Sequence, residues 1–187
     1  MACLVDSGTT FDCDNIPVGG LETELYIYNL TDWQGASVTR DADGNVTAIT
    51  NGTGLQAYKF EMPNSQSILP QTALRAGLVD QFDHQLQFIG VDNTQAGRNQ
   101  FSKMRFAGCV GIVLRKDGTG IIYGETQGLF LTDLQDNPAD PDLGGIIQPT
   151  IATDPDSSPE PALPRTIWIT DAETTRALVR SLTTVGP

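Results

Sequence analysis

TELYIYNL, residues Thr23 to Leu30, alternates along its length and carries apolar side chains on both sides. In a β-strand successive side chains point to opposite faces, so Leu25, Ile27 and Asn29 go one way and Tyr26, Tyr28 and Leu30 the other. A strand that is apolar on both faces has to be covered on both. The segment therefore belongs in the interior of a layered β domain. Outward from it, SVTRDADGNVTAIT (Ser37 to Thr50) places two runs rich in β-branched residues around Asp43-Gly44. That dipeptide tolerates the positive φ of a tight turn and marks a hairpin. Leu55 to Met62 alternates Leu55, Ala57, Lys59 and Glu61 against Gln56, Tyr58, Phe60 and Met62, and stops at Pro63. Ser65 to Gly77, with Pro70 and then Thr72-Ala73-Leu74-Arg75, fits either a loop or a short helix.

Farther along, Phe82 to Val91 reads as a strand with Leu86, Phe88 and Gly90 on one side. From Thr94 to Phe106 the period changes, and Ala96, Phe101, Met104 and Ala107 form one apolar stripe of a short basic helix. CVGIVLR, KDGTG and IIYGE (Cys109 to Glu125) make a second hairpin around Asp117-Gly118. GLFLTDL and GGIIQPTIA follow as shorter strands, separated by a Pro- and Asp-rich surface loop. The reading gives a core domain over 1–152 with an extended N-terminal segment, a stiff Pro-rich linker over 153–164, and an arm over 165–187. In the arm, RTIWIT is a strand, and Thr170 and Glu173 have the spacing of a capping box ahead of a helix. So short an arm cannot bury a core of its own and must pack on the main domain or on a neighbouring copy, of which the neighbouring copy is the expectation. The expected fold is mainly β with minor α: a β-sandwich or barrel with one flanking helix and a C-terminal strand-helix arm.

Composition agrees with many short elements joined by turns. The chain has 187 residues, 39% hydrophobic, with 19 Gly and 11 Pro. Its 11 Lys and Arg stand against 23 Asp and Glu, a net charge of −12. The charge is segregated. Met1 to Thr39 holds Asp6, Asp12, Asp14, Glu22, Glu24 and Asp32 with no base, and Asp133 to Glu160 likewise carries acids and no base. Arg98 to Lys116 holds Arg98, Lys103, Arg105, Arg115 and Lys116 with no acid. Complementary surfaces of this kind can set register between copies of one chain. No apolar run reaches the roughly 18 residues a membrane-spanning helix needs. The start MACLVDSGTT lacks the basic and apolar regions of a signal peptide, and a cytoplasmic location is the expectation. Cys3, Cys13 and Cys109 form no CxxC pair and read as inert thiols.

Catalytic chemistry has little to draw on. A Ser-His-Asp or Cys-His arrangement would need His84, the single imidazole, which lies in DQFDHQ without a nucleophile elbow. No phosphate-cradling glycine loop and no spaced zinc set occur, so no cofactor or metal is expected. Asp41 and Asp43 in DADGN bring oxygen ligands together as calcium prefers, yet the same residues suit a turn, and the distal bidentate Glu is missing. The sequons at Asn29, Asn45 and Asn51 have meaning only in a secreted eukaryotic protein. Tight nucleic-acid binding requires a basic surface, and the chain has the opposite sign.

The succession of strands, hairpins, one short helix and an outlying arm resembles the tail tube proteins of tailed bacteriophages. DCDNIPVGGLETELYIYNL, with Cys13, Gly19-Gly20-Leu21 and a Tyr-rich strand, is similar to small phage virion proteins, and so is GIIYGETQGLFLTDL. The resemblance implies a β-sandwich with a flanking helix that assembles in the host cytoplasm into stacked, hexameric rings of the virion, beside other virion proteins. DNA then passes as non-adhering cargo, without a membrane. The candidates for subunit contact are Arg98, Lys103, Arg105, Trp168, Arg176 and Arg180. Those for the wall of a channel are Asp6, Asp12, Asp14, Glu22, Glu24, Asp133 and Asp136. Another head-tail or neck protein, or a calcium-dependent adhesion or ligand-binding sandwich, are the alternatives.

Overall fold

The computed structural model describes residues 20–63, 67–75, 81–90, 94–136, 146–154, 159–184 and 186. The chain is a β-sandwich with minor α. Its elements in order are β1 (Leu21–Asn29), α1 (Leu30–Gln34), β2 (Ser37–Arg40), β3 (Val46–Thr50), β4 (Tyr58–Glu61), β5 (Ile68–Arg75), β6 (Gln81–Phe88), α2 (Gln95–Lys103), β7 (Cys109–Arg115), β8 (Gly120–Tyr123), β9 (Phe130–Asp136), β10 (Ile147–Ala152), β11 (Arg165–Ile167) and α3 (Ala172–Ser181). Seven strands form one sheet in the order β2-β3-β11-β8-β7-β1-β4, and four form the other in the order β5-β6-β10-β9.

β1 lies between β4 and β7, antiparallel to both, with Ile27 opposite Tyr58 and Gly111. Its two apolar faces feed two separate cores. Leu25 and Ile27 pack with Leu86, Phe88, Val113 and Ile151 between the sheets. Tyr26 and Tyr28 pack on the other side with Ile112, Trp33 of α1, and Val179 and Leu182 at the end of α3. Burial of each such side chain is worth about 2–3 kcal/mol. The sheets pack closely at Gly111, where an added Cβ would sit 2.3 Å from Leu86 Cδ1. Both hairpins form at the Asp-Gly dipeptides, and Gly44 and Gly118 adopt φ of 88° and 89°.

Several expectations are corrected. Ser65 to Gly77 holds an eight-residue strand, β5, paired along its length with β6. Pro70 is tolerated there because β5 is an edge strand, where a missing N–H costs no ladder bond. The strand expected from Leu55 to Met62 is only four residues long, because Ala57 N–H donates to the Leu182 carbonyl instead of to a neighbouring strand. Three helices form, where one flanking helix and one arm helix were expected. The buried stripe of α2 is Gly97, Phe101 and Met104, while Ala96 and Ala107 are exposed. α3 is capped by Asp171, whose carboxylate accepts from Thr174 N–H at 2.8 Å, one residue later than the capping-box reading.

The largest difference concerns the C-terminal segment. β11 is an inner strand of the seven-stranded sheet, antiparallel to β8 and parallel to β3, and α3 covers the second core. It packs on its own chain, because the gap between β3 and β8 supplies the hydrogen bonds and apolar cover that a neighbour was expected to give. Residues 1–19, the expected N-terminal extension, lie outside the described residues.

Candidate functional site

The charged candidates fall into two groups. On one side of the large sheet, β1 and α3 face each other through their charges. Arg176 Nε pairs with Glu22, and its Nη2 donates to the Lys116 carbonyl at 2.7 Å. Arg180 reaches Glu24 at 3.0 Å and Glu22 at 3.2 Å, and the Tyr26 hydroxyl donates to Glu24 at 2.8 Å. Burial pushes the Glu24 carboxyl up, yet the hydrogen bonds from Tyr26 and Arg180 outweigh it and hold the group below its ordinary range. Two residues read as channel acids and two read as subunit contacts thus neutralise one another within the chain. Tyr28 O–H donates to Asn51 Oδ1 at 2.6 Å, and Asn51 Nδ2 donates to the Leu182 and Thr184 carbonyls at 2.9 Å, which fastens the end of α3.

Arg98 is likewise paired in the chain, with Asp136 at the end of β9. Asp133 is exposed and, among the described residues, accepts the adjacent Leu134 N–H. Trp168 is 38% exposed and donates its backbone N–H to the Val46 carbonyl. Asp6, Asp12 and Asp14 lie outside the described residues.

Lys103 and Arg105 differ from the rest. Among the described residues neither makes an ion pair, and Arg105 stacks on Phe106, whose ring is 81% exposed. Lys103 ends α2 and lines a cavity of about 310 Å³ that opens between α2 and β4, and Arg105 follows two residues later. Ile27, Tyr58, Phe60, Met104 and Cys109 supply its apolar wall, and Asn29, Gln100 and Lys103 its polar one. A second cavity of about 240 Å³ continues along β4 and shares Phe60 and Gln100. Burial pushes the Cys109 thiol up to about 11, so it is an unreactive part of the wall.

A third cluster escaped the sequence reading. The Glu160 side chain, 2% exposed, accepts the N–H groups of Thr126, Gln127 and Gly128 at 2.8–3.3 Å. Its backbone bridges Phe82, and His84 Nδ1 accepts Gly124 N–H at 3.1 Å. Glu125, in the same loop, pairs with Arg165 at 2.7 Å and with Arg40. Residues 124–128 are thereby tied to both sheets, and the segment read as a linker is anchored through Glu160. A lone Glu between Pro159 and Pro161, in a stretch otherwise read as solvated, was the available signal.

Among the described residues no group of three or more His, Cys, Asp or Glu side chains could hold a metal. Asp41 Oδ1 accepts the N–H groups of Asp43 and Asn45, and Oδ2 accepts from Asn45 Nδ2, so the carboxylate closes the hairpin turn. No helix of the described residues is long and apolar enough to cross a membrane. No family model matches the chain, and no curated protein or solved structure is significantly similar to it.

Proposed function

We propose that the chain is a structural virion protein that assembles into the tube of a bacteriophage tail, in stacked rings of six, through which DNA passes. One observation carries the self-assembly. The sandwich has open edges at β2, β4, β5 and β9, and three of them present large apolar side chains to solvent: Tyr58 on β4, Leu69 and Leu74 on β5, and Leu134 on β9. Short length and charge blunt β4, and Pro70 interrupts β5, yet apolar side chains still stand on these edges, and an open edge is a template for another chain. Pairing between copies supplies their cover. The role in a tail rests on the resemblance of element order and texture, and the host cytoplasm and virion follow from it.

In such a ring Asp133 is the described channel candidate left without a cation. An acidic wall keeps a duplex mobile, whereas a basic one would bind it through counterion release. Negative-stain microscopy of the purified protein tests the reading. Rings or tubes with a central channel are expected, and a monodisperse monomer at high concentration would overturn it.

A further inference from the structure

The groove between β4 and α2 has the chemistry of a receptor whose ligand is acidic and partly apolar. It joins two cavities through Phe60 and Gln100, exposes half of Tyr58, and has Lys103 in its wall, with Arg105 two residues farther along the chain. Neither cation has a carboxylate partner among the described residues. The other cations on α2 and α3 themselves are answered in the chain, Arg98 by Asp136 and Arg176 and Arg180 by Glu22 and Glu24. A flanking aromatic, Phe106, is left almost fully in water beside the open pair. The unmatched charge therefore sits where apolar surface is also unmatched.

The sequence contains a segment with the complementary pattern. Residues 1–19 carry Asp6, Asp12 and Asp14 and no Lys or Arg, and Phe11-Asp12-Cys13-Asp14 alternates apolar with acidic. Extended, that tetrapeptide sends Phe11 and Cys13 to one side and both carboxylates to the other. We propose that residues 1–19 of one copy occupy the β4–α2 groove of a second copy, with the Asp12 and Asp14 carboxylates meeting Lys103 and Arg105. This rests on the self-assembly reading and names the contact that makes it.

The route favours a second copy over the same one. The chain enters β1 at Gly20, which lies against Lys116, whereas the cavity by Lys103 is lined by Asn29 at the other end of β1. Asp12 and Asp14 stand eight and six residues before Gly20, a reach of at most about 29 and 22 Å, whereas β1 carries the chain about 30 Å from Gly20 to the Asn29 end of the cavity. A segment on its own chain would have no slack left to line the groove. Between copies no such span is fixed, and 19 residues extend at most about 65 Å, ample to leave one subunit and lie along another.

Cys13 makes the contact measurable in the full-length protein. The variant Gln100→Cys places a thiol in the wall shared by both cavities, while Cys109 stays buried. Mixed unlabelled and ¹⁵N-labelled protein would be assembled, oxidised and read by peptide mass spectrometry. The expected product is a disulfide between Cys13 and the thiol introduced at position 100 that joins labelled to unlabelled peptide. A link confined to peptides of one label places the segment in its own groove and overturns the proposal. Particles that form without the link overturn it too, but leave self-assembly standing; absence of both particles and link removes both readings. As a second arm, Lys103→Glu with Arg105→Glu is expected to weaken association at least about tenfold, the cost of setting like charges opposite one another across a contact, and adding Asp12→Lys with Asp14→Lys to restore most of it. Loss without restoration by the swapped charges would count against the pairing.

Discussion

β1 and β5 are of similar length and both antiparallel, yet they make opposite use of their side chains. β1 is central, and Leu25, Tyr26, Ile27 and Tyr28 are all buried, alternately in one core and the other. β5 is an edge, with Ile68 buried and Leu69, Gln71, Thr72, Ala73 and Leu74 exposed. One strand holds the monomer together, while the other leaves backbone and apolar surface for something outside it. Position in the sheet, rather than strand propensity, sets this difference.

The comparison breaks most readily at Tyr28. Tyr28→Ala would empty a fully buried site, remove the edge-on contact with Trp33 and leave Asn51 without its hydroxyl donor. A loss of about 3–5 kcal/mol is expected from the cavity alone. Urea unfolding of the variant measures it, and a loss below about 1 kcal/mol would mean that the second core does not depend on β1.

Glu160 tests how the two sheets are joined. Glu160→Ala leaves the N–H groups of Thr126, Gln127 and Gly128 without their acceptor in a closed site. Buried donors stripped of a charged partner cost about 3 kcal/mol. Glu160→Gln keeps an acceptor oxygen and is expected to lose about half as much. If Ala and Gln lose the same amount, the carboxylate is not what anchors the segment.

β1, both hairpins and α2 were legible because each is written in local pattern: a period of two, an Asp-Gly dipeptide, or an apolar stripe. β5 was not, since Pro70 and a polar run look like a loop until the sheet places them on an edge. Glu160 was illegible for another reason: its partners lie 32 to 34 residues away, and nothing near it in sequence announces them. The charges of α3 were visible, but that Glu22 and Glu24 answer them depends on β11 entering the sheet. A −12 chain could be seen to segregate charge; which pairs would close inside the chain could not.

His84 sharpens the same point through pH. Burial lowers the imidazole pKa from its ordinary 6.5, against the opposing pull of the Glu160 carboxylate, the Ala162 backbone and the Asp83 carboxylate. The folded protein holds the ring neutral, with Nδ1 accepting from Gly124, while the unfolded chain protonates it near 6.5. Its contribution is therefore complete above about pH 6.5 and is lost as pH falls toward the folded value. Thermal unfolding between about pH 7.5 and 5.5 should show a falling midpoint, and His84→Gln should flatten that slope. An unchanged slope in the variant would assign the acid sensitivity to carboxylates instead.

The smallest effect on the monomer is expected at Leu74, and it separates the two strands most cleanly. Its side chain is 61% exposed on an edge, opposite Phe82 in the ladder. Removing exposed methyl groups from such a site changes folding stability by less than about 0.5 kcal/mol. If β5 is covered when copies associate, the same methyl groups are buried only in the assembly, and Leu74→Ala lowers association while leaving the urea midpoint where it was. Tyr28→Ala should do the reverse at protein concentrations where the monomer remains folded, costing stability without a specific loss of contact between copies. Sedimentation across a concentration series, run beside urea unfolding, reads both quantities on the same samples. A Leu74 variant that associates as well as the parent would mean that this edge stays open in the particle, and the assembly contacts would then have to lie at β4 and β9.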